Sequence, residues 1–189
     1  MTVTTPKPRG KGLNRGAWVE AALRLVDAEG LAALNFRRLA RELHVTTMAP
    51  YAHFADKEDL LAAMTAHVLG GLEETLDPHA GWDTQVEQAM VALHERLDAH
   101  PGVTDLIVAR AEGERLSELR EALMAVTTAA GLDPTDATDA LRALVSYVLG
   151  FVILTRAGAP VTVRRGSPRA IEYGLTLLMD YLRASADRR

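Results

Sequence analysis

The segment from Asn35 to Leu61 constrains the fold more than any other, because helical periodicity starts, stops and restarts inside it. Asn35 is a good N-cap, since its side-chain oxygen can accept from the free N–H groups that open a helix. The apolar face that follows at helical spacing consists of Phe36, Leu39, Ala40 and Leu43. The pattern predicts a short helix, a tight turn, a second short helix and the start of a third. This is the outline of a helix-turn-helix motif, which reads DNA.

The predicted turn follows His44, which stands directly after the last apolar position of the first helix. Helices commonly end there in a left-handed residue, and His is one of the few tolerated side chains other than Gly. We place the second helix at about 48–53, with Thr46 or Thr47 as its N-cap. Pro50 is compatible with this helix, because its missing N–H lies among those that have no helical partner.

The second helix carries small and hydroxyl side chains, which allow close approach to base edges and thymine methyl groups. Its predicted exposed residues are Thr46, Thr47, Ala49, Ala52 and His53. Tyr51, His53 and Lys57 suit phosphate oxygens, which position a helix without reading sequence. The alternative is that Tyr51 mainly packs and Lys57 is an ordinary surface charge. Phe54 is predicted to be a core residue, and Asp56 to cap the next helix.

Residues 34–61 resemble the DNA-binding domain of the tetracycline-repressor (TetR/AcrR) family of bacterial regulators. The matching residues are Leu39-Ala40, Leu43-His44-Val45, Tyr51-Ala52-His53-Phe54, Lys57 and Leu60-Leu61, with Ala22-Leu23 and Glu29-Gly30-Leu31 before them. His44 stands where the family usually has Gly, and Pro50 where a larger apolar residue is common. The resemblance covers about the first third of the chain, and its motifs occur in the family's order and spacing.

The resemblance implies which residues face DNA. The positions that match are Arg37, Thr47, Ala49, Tyr51, His53 and Lys57. We predict that Arg37, Thr47 and Ala49 contact base edges, and that Tyr51, His53 and Lys57 contact phosphates. Arg38 and Arg41 are either further contacts or solvated surface charges.

The charge distribution favours a nucleic-acid partner at one end of the chain. The net charge is −4, but residues 1–57 carry nine Lys and Arg against five Asp and Glu. Residues 58–189 carry twelve against twenty. A basic end on an acidic body suits electrostatic docking to phosphates, although the asymmetry can also arise by chance.

We predict three regions: a disordered basic arm at 1–13, a helix-turn-helix DNA-binding domain at 14–58, and a helical effector-binding and dimerisation domain at 59–189. In the arm, Pro, Gly and basic residues favour disorder. The basic residues of the arm and the first one after it could lie along the DNA backbone or in a minor groove; they are Lys7, Arg9, Lys11 and Arg15. The alternative is that the arm is only a soluble tail.

The periodicity predicts an all-α fold of about nine helices, with no convincing strand. Outside the motif they cover about 15–29, 57–76, 82–99, 103–111, 117–130, 135–156 and 169–184. Helices 8 and 9, the last two, are the candidates for a homodimer interface, since two helices per subunit can form a four-helix bundle. Gly150 and Gly174 would allow close crossings there. Alternatively, these helices only close the subunit's own core.

The resemblance also implies that helices 4 to 7 enclose a pocket for a small-molecule effector, whose binding releases DNA. The candidate lining is Met64, His67, Met90, His94, Met124, Tyr147 and Phe151. Met is adaptable and often lines promiscuous pockets. Ordinary core and surface packing is the alternative for each of them.

Enzymatic activity is not expected, because the chain lacks HExxH, Walker, GxSxG and GxGxxG motifs. No His has a Glu three residues before it, and there are no Cys, so we expect no metal site and no cofactor. His94 and His100 could lie close together and bind a metal with Glu95 or Asp98, but we expect an ordinary surface pair. No apolar run reaches the ~20 residues that span a bilayer, and no signal-peptide pattern appears, so a cytoplasmic location is expected.

The sequence therefore predicts a homodimeric, TetR-like transcriptional repressor that binds a palindromic double-stranded operator and responds to an unidentified effector. The rival interpretation is a helical small-molecule-binding or interaction dimer without sequence-specific DNA binding.

Overall fold

The computed structural model describes residues 13–110, 114–156 and 168–186. Within these ranges it contains eight α-helices, three short 3-10 helices and no strand, which confirms the all-α prediction. The chain divides into two compact units, Met1–His67 and Val68–Arg189.

The first unit contains α1 (Arg15–Glu29), α2 (Phe36–Glu42) and most of α3 (Lys57–Leu69), with 3-10 helices at Leu31–Ala33 and Ala49–Ala52. Asn14 caps α1 by accepting from the Ala17 N–H at 2.9 Å. Asn35 caps α2 by accepting from the Arg38 N–H at 2.8 Å. Gly30 ends α1 with a positive φ of 81°. The predicted bounds of α1 and the predicted N-cap of α2, Asn35, are confirmed.

The second unit contains the end of α3, a 3-10 helix at Glu73–Thr75 and the remaining five α-helices. These are α4 (Trp82–Ala99), α5 (Pro101–Arg110), α6 (Glu114–Ala129), α7 (Pro134–Arg156) and α8 (Pro168–Ala186). The central helix is α7, which packs against α4, α5, α6 and α8. Its inward residues, among them Leu144 and Val148, are fully buried.

The predicted helix 57–76 is wrong at its C-terminal end, because α3 stops at Leu69. Gly71 adopts a positive φ of 72°, which a helix cannot continue. From α4, the Arg96 guanidinium donates to the carbonyls of Val68 at 3.2 Å and Gly70 at 2.5 Å. A side chain distant in sequence therefore supplies the partners that the last carbonyls of α3 lack.

The second helix of the motif is a 3-10 helix at Ala49–Ala52 rather than an α-helix at 48–53, and no side chain caps it. Its N–H groups bond three residues back: Tyr51 to the Met48 carbonyl at 3.2 Å, and His53 to the Pro50 carbonyl at 2.9 Å. Pro50 lies in the first turn and donates no bond of its own. This tightened turn explains why the described residues form eight α-helices instead of about nine.

One helix in the described ranges, α7, is long and apolar enough to cross a membrane by length and composition, with a mean hydropathy of 1.6 in its most apolar stretch. The core helix of a globular domain meets the same criterion, and α7 packs against four other helices.

Candidate nucleic-acid interface

The helix-turn-helix motif rests on a buried base formed by all its helices. Trp18 of α1, Leu39 and Ala40 of α2, and Phe54 after the 3-10 helix are at most 2% exposed. The Phe36 ring lies 6.4 Å from that of Phe54. Because this base is apolar, the 3-10 helix Ala49–Ala52 is held against it with Pro50 buried and with Tyr51 and Ala52 exposed.

The turn between the two helices takes the predicted left-handed form. His44 has a φ of 55°, and within the described residues it is the sole non-glycine residue with a positive φ. Its N–H donates to the Arg41 carbonyl at 3.2 Å, and the Val45 N–H donates to the Ala40 carbonyl at 2.9 Å. These bonds satisfy carbonyls at the end of α2 and turn the chain sharply into the 3-10 helix.

We call the exposed face of residues 46–52 the reading surface. Thr46, Thr47 and Ala52 are exposed, as expected for close approach to base edges. Ala49 is half-buried, and Pro50 is buried. The remaining exposed members are Met48 and Tyr51, at 70% and 54%.

Tyr51 is packed on one side and exposed on the other. Its ring packs edge-on against that of Phe36, with centroids 5.1 Å apart, while more than half of the side chain stays in contact with solvent. The packing fixes the direction of the ring, so the phenol hydroxyl can meet a phosphate without much further loss of freedom.

His53 and Lys57 lie on either side of the step into α3. The His53 side chain is half-buried, and its ring centroid is 6.1 Å from that of Trp18. Lys57 is exposed and is the first residue of α3. The Asp59 N–H donates to Asp56 at 2.8 Å, so Asp56 is the predicted cap of this helix.

The three arginines of α2 have different surroundings. Arg38 is paired with Glu29 at the end of α1, at 2.5 Å. Arg37 and Arg41 are exposed, and neither has an ion pair or a side-chain hydrogen bond in the part of the chain that the structure describes. Arg37 is therefore available to a ligand, whereas Arg38 already has an intramolecular partner.

Two features of this region are not apparent from the sequence: the exposure of Met48 and the intramolecular contact of Arg15. Met48 is exposed because a 3-10 helix repeats every three residues, which places Met48 and Tyr51 on one side. The sequence signal that favours a 3-10 helix here is Pro50 within the short segment Ala49–Ala52. Arg15 is the second: its guanidinium reaches Asp59, 44 positions away, and local periodicity carries no signal for such a contact.

Three of the predicted effector-pocket residues come together within the second unit. The ring of Phe151 lies 5.6 Å from His94 and 6.1 Å from Tyr147. The Tyr147 hydroxyl donates to the Ala170 carbonyl of α8 at 3.1 Å, and burial raises the pKa of this phenol. All three side chains are half-buried.

The other predicted pocket residues differ in burial and location. Met90 is fully buried on α4, and the sulfur of Met124 lies 3.6 Å from the Thr138 hydroxyl. Met64 is buried and His67 exposed, and both belong to the first unit.

A cleft of about 600 Å³ in the second unit lies against α7 and α8 and is lined by none of the predicted pocket residues. It is lined by Leu132, Asp133, Asp136, Asp139, Ala140, Ala143, Leu144, Leu178, Tyr181 and Leu182.

Among the residues that the structure describes, no group of three or more His, Asp or Glu side chains is placed to hold a metal ion.

Comparison with known families places each part of this architecture. The sequence profile described as "Bacterial regulatory proteins, tetR family" matches residues 19–64. The profile described as "Tetracyclin repressor-like, C-terminal domain" matches residues 74–181. The two matches follow each other along the chain, and together they cover most of it.

Relatives and solved structures agree with the profiles. BioQ of Mycobacterium smegmatis is 33% identical, and its structure covers 92% of this chain and 99% of its own, with a TM-score of 0.72. A structure of BioQ with its natural double-stranded DNA operator is 34% identical over 91% and 99%, with a TM-score of 0.69. The transcriptional repressor DrrR1 of Streptomyces coeruleorubidus is 31% identical over 77% of this chain and 53% of its own length. The chain thus spans little more than half the length of the first curated relatives it matches.

Proposed function

The chain belongs to the tetR family of bacterial regulatory proteins, and we propose that it is a DNA-binding transcriptional repressor. It binds a palindromic operator as a homodimer, and a small-molecule effector releases it. The observation that carries the proposal is the reading surface: exposed hydroxyl, small and apolar side chains on a tight helix that is fixed to a buried apolar base. BioQ, which shares this fold, has been solved on its DNA operator.

The proposed contacts divide by their chemistry. Thr46, Thr47 and Ala49 approach base edges, together with the guanidinium of Arg37, whose planar fork matches guanine. The half-burial of Ala49 restricts its role to close backbone approach, and exposed Met48 adds an apolar contact beside it. The phosphate contacts are Tyr51, His53 and Lys57. The arm at 1–13 lies almost wholly outside the described residues, and the domains remain proposed at 14–58 and 59–189.

The proposed dimer uses α7 and α8, the predicted helices 8 and 9. Tyr173, Leu177 and Tyr181 follow each other every four residues on α8 and are 70%, 56% and 67% exposed. Leu154 of α7 is 48% exposed. A row of large apolar side chains in water is unfavourable for a monomer and typical of a helix face that packs against a second subunit. A two-fold axis would pair the two helices with their counterparts as a four-helix bundle.

Gly174 and Gly150 allow close approach to different helices, one within the subunit and one in the proposed partner subunit. A Cβ on Gly174 would collide with the Tyr147 ring, so this glycine serves the packing of α8 on α7 within the subunit. A Cβ on Gly150 meets nothing within 4 Å. This open position on α7 leaves room for a helix of the partner subunit.

The proposed effector contacts in the second unit are His94, Tyr147 and Phe151, with Met90 and Met124 as adaptable neighbours. Their mixture of aromatic rings, an imidazole and a hydroxyl suits a planar organic molecule with one or two polar groups. The roles of Met64 and His67 stay predictions from the sequence. We also propose that the protein acts in the cytoplasm, without a cofactor and without enzymatic activity of its own; its named relatives are transcriptional regulators.

The test is selection of bound duplexes from a random DNA pool at two salt concentrations. We expect an enriched palindrome whose binding weakens steeply as salt rises, since each neutralised phosphate releases counterions. No enrichment at either concentration, from a preparation shown by mass spectrometry to be free of bound small molecules, would reject the proposal. It would favour a helical small-molecule-binding or interaction dimer.

A further inference from the structure

Arg15 stands at the start of α1, next to the basic arm, where a cation suggests a phosphate contact. Its guanidinium is already occupied within the chain. One nitrogen donates to the His53 carbonyl at 2.5 Å, and the other donates to Asp59 at 2.5 Å. The guanidinium carbon also lies 4.5 Å from the centre of the Phe54 ring.

These contacts join three segments of the motif. His53 is the C-cap of the 3-10 helix that carries the reading surface, and Asp59 lies in the first turn of α3. The second oxygen of Asp59 accepts from the Ala55 N–H at 3.0 Å. Arg15 therefore links the start of α1 to the end of the 3-10 helix Ala49–Ala52, which we call the reading helix, and to the first turn of α3.

We infer that Arg15 is a positioning residue, which fixes the exit of the reading helix and the first turn of α3 instead of contacting phosphate. The inference rests on the proposed DNA-binding function and adds to it. The proposed phosphate contacts, Tyr51, His53 and Lys57, lie within the segments that Arg15 joins. Holding them in place before DNA arrives removes part of the ordering cost of binding.

The chemistry of the contacts explains why arginine serves here. A single exposed ion pair contributes little to stability. Arg15 adds a backbone carbonyl and an aromatic face to its carboxylate, and only a planar guanidinium offers several donors and a stacking surface at once. Lysine at this position keeps the charge but cannot satisfy the three partners together.

The two roles predict opposite effects of the Asp59→Asn substitution. The asparagine keeps an acceptor for the Ala55 N–H but weakens the attachment of Arg15. If Arg15 positions the helix, Asp59→Asn weakens binding to the selected duplex about tenfold, because charge-assisted hydrogen bonds are lost. If Arg15 is a phosphate contact, removing a nearby negative charge and freeing the cation strengthens binding.

Salt dependence separates the roles a second time. We expect Arg15→Met and Arg15→Lys to weaken binding to a similar extent, and Arg15→Met combined with Asp59→Asn to be no worse than either single change. The slope of log affinity against log salt stays at the wild-type value in all of them. A slope lower by about 0.9 in Arg15→Met, with Arg15→Lys close to wild type, would overturn the inference, since it marks a lost phosphate contact.

A measurement without DNA keeps this inference separate from the proposed function. Amide hydrogen exchange of His53 and Phe54, whose N–H groups both bond to the Pro50 carbonyl at 2.9 and 3.0 Å, reports on the exit of the reading helix. Arg15→Met should accelerate exchange at both amides about tenfold. Arg24→Met is the matched control: Arg24 is an exposed cation of the same helix, with no ion pair or side-chain hydrogen bond inside the described ranges.

The outcomes are distinguishable. Unchanged exchange in Arg15→Met overturns the positioning role, whatever the protein binds. Accelerated exchange in a protein that selects no duplex leaves the positioning role in place and rejects the DNA-binding proposal. Thermal unfolding of every variant establishes that folded proteins are being compared.

Discussion

The reading surface of the first unit and the α8 face of the second both expose large apolar side chains, but in different settings. Met48 and Tyr51 lie among threonines and alanines on a single tight turn, and the Tyr51 ring is already packed against Phe36. Tyr173, Leu177 and Tyr181 form a row along a 19-residue helix. The first arrangement suits a polar, hydrated partner, and the second suits a dry, apolar one. The spacing of exposed apolar residues, rather than their number, therefore indicates the kind of partner that a surface binds.

The largest effect is expected from a charge placed in the α8 row of Tyr173, Leu177 and Tyr181, which is proposed to pack against a second subunit. We expect Leu177→Lys to produce a monomer by sedimentation, because isologous packing would bury two uncompensated ammonium groups. Operator affinity should fall about a hundredfold or more, since two linked half-sites bind far more tightly than one. Thr176→Lys is the matched control, on an exposed neighbouring position outside the row. A Leu177→Lys protein that stays dimeric would remove α8 from the interface.

Loss of a proposed base contact should reduce sequence discrimination without altering dimer assembly. Arg37→Ala is expected to cost about 1–3 kcal/mol on the selected operator and to relax the preference at one base pair. Arg41→Ala, a second exposed arginine of α2, serves as the comparison. Equal losses on every duplex would contradict base contact and leave Arg37 as a phosphate ligand.

The glycines of α7 and α8 test which crossing is internal. Gly174→Ala should destabilise the protein by about 1–3 kcal/mol in chemical unfolding, because the new methyl group collides with Tyr147. Gly150→Ala has no neighbour to displace within the subunit and should leave subunit stability the same or raise it by about 1 kcal/mol through helix propensity. The contrast disappears if both variants unfold at the wild-type denaturant concentration.

Lys57→Ala isolates the electrostatic contribution of one proposed phosphate contact. We expect a moderate loss of affinity that is uniform across duplexes, with a salt slope reduced by about 0.9, because one phosphate contact is removed. Titrations at several salt concentrations measure both quantities. A loss restricted to the selected operator would instead assign Lys57 to sequence readout.

The smallest effect on stability is expected from loss of the Arg183–Asp83 ion pair, which joins α8 to α4. Arg183 donates to Asp83 at 2.7 Å, and this hydrogen bond holds the pKa of the Asp83 carboxyl below its usual value. A lowered folded-state pKa adds stability above the unfolded pKa, and that stability is lost as pH falls below about 4. Asp83→Asn should therefore cost about 0.2–1 kcal/mol near neutral pH and nothing in strong acid, measured by urea unfolding. A constant difference across the pH range would contradict the ion-pair origin.

Much of the architecture follows from local rules. Asn14 and Gly30 delimit α1, Asn35 and Asp56 cap their helices, and His44 takes the left-handed conformation expected of it. Each of these features depends on side chains within four residues of the backbone groups they satisfy. Such contacts are visible in a sequence, because the chain brings the partners together by itself.

Features that depend on distant partners were predicted poorly. The sequence pattern predicts a helix through about 57–76, but α3 ends at Leu69, where Arg96 of α4 binds the carbonyls of Val68 and Gly70. The predicted effector residues shared suitable chemistry, yet only His94, Tyr147 and Phe151 are known to meet within the second unit. Helical periodicity gives the inward face of a helix but not the residue it meets there.

By itself, the sequence determined an all-α chain with a helix-turn-helix motif near its start, since periodicity, caps and turn residues act over a few positions. The tertiary structure decided which side chains are free for a partner. Arg15 and Arg37 are both exposed cations of the first unit, but Arg15 is held by Asp59 while Arg37 has no such ion pair among the described residues. The physical reason is that the freedom of a side chain to bind a partner depends on its contacts with other helices, and those contacts form only when the helices pack.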